Sequence, residues 1–102
     1  MNVANLQIEG LLMAIASINN VLVQKGLLSI DEIDLALRKA EAGITGDERV
    51  YEDMSPANRD AICFPIRLLQ MANLSQGESD IPPFSELAKM VGKTKEPYND
   101  QM

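Results

Sequence analysis

The sequence predicts an all-α fold, a small helical bundle of four helices with a disordered C-terminal tail. The expected elements are a helical hairpin over residues 3–42, a kinked third helix over 56–75 and a short fourth helix over 84–91. Three observations carry this. The stretch Lys25-Gly26-Leu27-Leu28-Ser29-Ile30-Asp31-Glu32 stops one helix and starts another within a few residues. Apolar residues recur three and four apart through three long segments, and no stretch alternates convincingly enough for a strand. A second start signal, Ser55-Pro56, opens the third helix with a capping serine and a proline at its first position.

Helix 1 is expected over residues 3–25, with Asn2 or Asn5 as its cap. Leu11, Ile15, Ile18 and Leu22 fall on one stripe, which Leu12, Val21 and Val23 widen. No charged residue lies between Glu9 and Lys25, so the outward positions hold Met13, Ala16, Asn20 and Gln24 instead. A helix covered on one side only carries a charged outer face; this one is therefore expected to be covered on more than one side. Gly10 costs about 1 kcal/mol relative to alanine inside a helix, and with Ala14 one turn away it offers a place for close backbone approach. A tolerated irregularity is the favoured reading of it.

Gly26 can adopt the left-handed conformation that closes a helix, and Lys25 sits beside the last carbonyls. Ser29 and Glu32 have capping-box spacing, and Leu28 and Ile33 that of a hydrophobic staple. So short a connection favours two helices folded against each other. Helix 2 turns Ile33, Ala36, Leu37 and Ala40 inward and its acidic and basic residues outward, with Gly43 as the expected stop. Pro65 interrupts helix 3: it has no amide hydrogen, so the Ala61 carbonyl loses its partner and the helix kinks or splits. Between Asp60 and Glu78 the only charge is Arg67, which makes helix 3 the second deeply covered element. Phe84, Leu87, Ala88 and Val91 form one face of helix 4, ended by Gly92.

A chain of 102 residues fits one domain, expected as a helical body over 1–92 and a flexible tail over 93–102. Aromatic residues are only 4%, so the core must be aliphatic, with Met13, Met71 and Met90 as gap fillers. The net charge of −6 and the scattered basic residues oppose binding to nucleic acid or an anionic membrane. The acidic start of helix 2 would repel phosphates. The lone Cys63 excludes an intrachain disulfide and suits a reducing compartment. With no basic N-terminal region and an apolar run, 11–23, too short to span a bilayer, the expectation is a cytoplasmic protein outside the membrane.

The chemistry is defined mainly by what is missing. Without histidine there is no Ser-His or Cys-His arrangement, and Cys63 alone cannot hold zinc. Neither a cofactor nor a metal is expected. Asp47, Glu48, Glu52 and Asp53 form an acidic cluster, but Arg49 and Tyr51 occupy positions where a calcium loop needs oxygens, so a solvated loop is expected. Leucine precedes Ser29, unlike the Asp-Ser-Leu of a phosphopantetheine attachment site, and the six dispersed glycines build no phosphate loop. Arg59 and Arg67 lie one turn below and above Cys63, a spacing that could lower its thiol pKa. A small buried hydrophobe is the commoner role for such a cysteine.

Two helices almost free of charge are more than so short a chain can cover. The expected function is a non-catalytic, homodimeric helical interaction or regulatory module, with Leu11, Ile15, Ile18, Leu22, Ile66 and Leu69 at the dimer interface. Helix 2 and the acidic loop would be left for a basic protein partner. The alternative is a small-ligand-binding or accessory subunit of an enzyme, its pocket at the Pro65 break using the Ala61 carbonyl, Arg59, Cys63 and Arg67.

Overall fold

The computed structural model describes residues 3–46, 56–77 and 81–100, and within them it is an all-α bundle of four helices. The helices are α1 (Val3–Gln24), α2 (Ile30–Thr45), α3 (Pro56–Leu74) and α4 (Phe84–Asp100), with a 3-10 turn at Ser75–Gly77 after α3. The acidic cluster Asp47, Glu48, Glu52 and Asp53 and the capping position Ser55 lie outside the described residues.

The junction between α1 and α2 follows from its local sequence. Gly26 has φ 74, the only positive φ among the described residues. The Leu27 amide donates to the Leu22 carbonyl and the Gly26 amide to that of Val23, both at 3.0 Å. Those two bonds define a Schellman ending, which satisfies carbonyls that a helix end otherwise leaves open. On the other side the Glu32 amide donates to Ser29 Oγ at 3.0 Å, and the Ser29 amide donates to Glu32 Oε1 at 2.8 Å. The capping box is complete.

The core lies around α3. Leu12 and Ala16 of α1, Leu68, Leu69 and Ala72 of α3, and Leu87 and Val91 of α4 form one buried cluster, with Met13, Met71 and Met90 packed against it. From α2, Leu37 joins the edge of this cluster and Ile33 is buried. Although α1 and α2 are consecutive and joined by a short turn, each seats mainly on α3 rather than on the other. The third helix is thus the hub. Its C-terminal end is tied to the start of α2, because Asn73 Nδ2 donates to the Ile30 carbonyl at 2.9 Å and Gln76 Nε2 donates to Asn73 Oδ1 at 2.7 Å. Asn73 is 1% exposed, and a buried amide without such partners would destabilise the fold.

Two boundaries differ from expectation. α2 passes through Gly43 to Thr45, with Gly46 as its C-cap, and α4 passes through Gly92 to Asp100 rather than stopping near Val91. The reason is the same at both sites. Glycine permits the left-handed conformation that closes a helix without requiring it, and neither Gly43 nor Gly92 adopts it. α3 runs as one helix from Pro56 to Leu74 with Pro65 inside it.

Candidate functional site

Arg59, Cys63 and Arg67 lie on one stripe of α3, each four residues from the next. Arg67 Nε donates to Glu41 Oε2 of α2 at 2.9 Å, its Nη1 reaches Asp60 Oδ1 at 3.5 Å, and Gln70 Nε2 donates to Glu41 Oε1 at 3.3 Å. This is a polar clamp between α2 and α3. Burial opposes the Arg67 charge, but the hydrogen bond and opposite charge of Glu41 outweigh it and hold the guanidinium pKa above its usual value.

Cys63 is 1% exposed. Burial pushes its thiol pKa up; Arg67 pulls the other way, while Glu41 and Asp60 add to the rise. The arginine that could have activated the thiol is engaged by carboxylates whose own charge disfavours a thiolate. Cys63 is held as a protonated packing group. Among the described residues no group of three or more His, Cys, Asp or Glu side chains is placed to hold a metal ion.

A cavity does open at Pro65, with a volume of about 340 Å³. Asn5 and Glu9 of α1, Ala61, Phe64 and Pro65 of α3, and Phe84 of α4 line it. The rings of Phe64 and Phe84 meet edge to face, centroids 6.4 Å apart and planes at 68°. Arg59, Cys63 and Arg67 are not among its lining residues. Helical geometry explains this: Ala61 and Cys63 are two positions apart, about 200° around the helix axis. The sequence signal that separates the two stripes was therefore present, as the Ala61–Pro65 spacing of four. The contributions of Asn5, Glu9 and Phe84 come from segments distant in sequence.

The expected interface residues divide in the same way. Leu11 and Ile18 are each 60% exposed, in company with Val3, Leu6 and Val21 on α1. Ile15, Leu22 and Ile66 are half-buried, Ile15 against the core. Leu69, 7% exposed, belongs to the intramolecular core. Only Leu12 and Ala16 of α1 are buried, so that helix, expected to be covered on several sides, is covered on one. Gly10 faces open space, with no neighbouring backbone drawn close. By length and composition alone α1, with 22 residues, is long and apolar enough to cross a membrane.

Comparison with protein-family models, with curated proteins and with solved structures finds no match to this chain.

Proposed function

We propose that this protein is a non-catalytic helical interaction module that pairs with a second copy of itself through the outer face of α1. The observation that carries the reading is the exposure of Leu11 and Ile18, 60% each, on a helix with no charge between Glu9 and Lys25. Large exposed apolar patches characterise interaction surfaces. Gln7, Leu11, Ala14, Ile18 and Val21 are all exposed and spaced alternately four and three apart, the spacing of residues that interlock between paired helices. A twofold axis lets one such surface cover itself. The exposed acidic side chains Asp31 and Glu32 at the start of α2 lie on a different element and suit a basic protein partner.

Light scattering coupled to size exclusion at micromolar concentration tests the pairing. The expected mass is twice 11.2 kDa, falling to one copy when Leu11→Glu and Ile18→Glu are combined, with the thermal transition of the separated copies retained. A single-copy mass throughout overturns the proposal. Co-flotation of a monomer with anionic lipid vesicles would assign the same face to a membrane instead.

A further inference from the structure

The cavity at Pro65 carries an inference independent of self-pairing, because it lies on the inner side of α1 and the exposed seam on the outer. Its volume of about 340 Å³ falls at the small end of the range for ligand pockets, which are mostly apolar with a few placed polar groups. The polar groups here are mostly acceptors. Glu9 brings a carboxylate, and Ala61 brings a carbonyl whose helical donor is missing because residue 65 is proline. Among the described residues Asn5 is the one lining side chain able to donate, and no lysine or arginine lines the cavity. Phe64 and Phe84 supply aromatic surface, whose electron-rich faces attract cations. A site with surplus acceptors, one acidic group, two rings and no basic side chain repels anions. It complements a donor that carries positive charge on an apolar body.

We infer that the cavity between α1, α3 and the start of α4 binds a small organic ammonium ion, its charged nitrogen toward Glu9 and the Ala61 carbonyl and its apolar part against Phe64 and Phe84. A ligand there bridges three helices, including α1, whose outer face is uncovered. Occupancy therefore fastens α1 to the rest of the bundle as well as filling space.

The probe is phenethylammonium, with 2-phenylethanol as an uncharged counterpart of nearly the same shape, titrated into the full chain with amide resonances recorded by NMR. The ammonium is expected to shift resonances around Asn5, Glu9, Ala61 and Phe84, to slow hydrogen exchange in α1, and to bind about tenfold more tightly than the alcohol. Glu9→Gln should bring the two affinities together, and Phe84→Leu should weaken both. Glu9 is only partly buried, and the unfolding transition of each variant reports whether its fold is intact. Equal affinities for the two probes in the unaltered protein overturn the inference. So do shifts confined to other surfaces, or no response at millimolar ammonium. None of these outcomes depends on whether the protein is a dimer.

Discussion

α1 has no charged side chain between Glu9 and Lys25, and α3 holds only Arg67 between Asp60 and its end. Yet Leu68 of α3 is 0% exposed and Leu11 of α1 is 60% exposed. The difference is one of position. α3 is packed against α1, α2 and α4, so nearly every direction around it is occupied. α1 lies at the edge and gives the core Leu12 and Ala16. A shortage of charge indicates that water is a poor neighbour for a helix. It leaves open whether the covering comes from the same chain.

The comparison is sharpest for paired truncations. Leu68→Ala should destabilise the fold by about 2–5 kcal/mol, since a cavity is left in a site with little room to collapse. Leu11→Ala, measured by chemical denaturation at concentrations too low for self-association, should stay within about 0.5 kcal/mol of the unaltered protein. A loss at Leu11 equal to that at Leu68 would mean that α1 is covered within a single copy, and the contrast would fail. The junction between α1 and α2 comes next. Ser29→Ala removes one half of the capping box and should cost about 1 kcal/mol in the same unfolding experiment.

The smallest effect is expected at Cys63, inside α3. Burial raises its folded-state pKa, so below the ordinary thiol range, about pH 8.5, folded and unfolded chains are both protonated and the stabilisation is present in full. As pH rises past that value the unfolded chain releases its proton first, and stability declines. Cys63→Ala should flatten this alkaline decline. Thiol-specific labelling at neutral pH should follow global unfolding of the unaltered protein; rapid labelling of the native state would place Cys63 at an accessible surface and contradict its burial.

Much of the fold was legible because the relevant signals are local. Ser29 and Glu32 make their two bonds within four residues, and Gly26 ends α1 with bonds that reach back no further than Leu22. Gly43 and Gly92 were harder to read, since the residue type permits a left-handed turn without requiring one. The cavity was half legible. Pro65 and Ala61 announce a freed carbonyl, whereas Glu9 and Phe84 reach that place only through tertiary packing. Arg67 and Cys63 lie about a half-turn around α3 from Pro65 and are not among the residues that line the opening. Their partner is Glu41, on a helix far away in sequence.

The bond between Asn73 and the Ile30 carbonyl has a mechanical corollary. It anchors the downstream shoulder of the turn, while the upstream shoulder rests on Gly26 and on the packing of Leu12, Met13, Ile15 and Ala16 against the core. A swing of α1 away from its neighbours is expected to pivot at that glycine, because the Asn73 bond holds the start of α2 to α3. The first helix is built like an arm on a fixed elbow, and Gly26→Val, which stiffens and strains the joint, would restrict its travel before disturbing the remaining three helices.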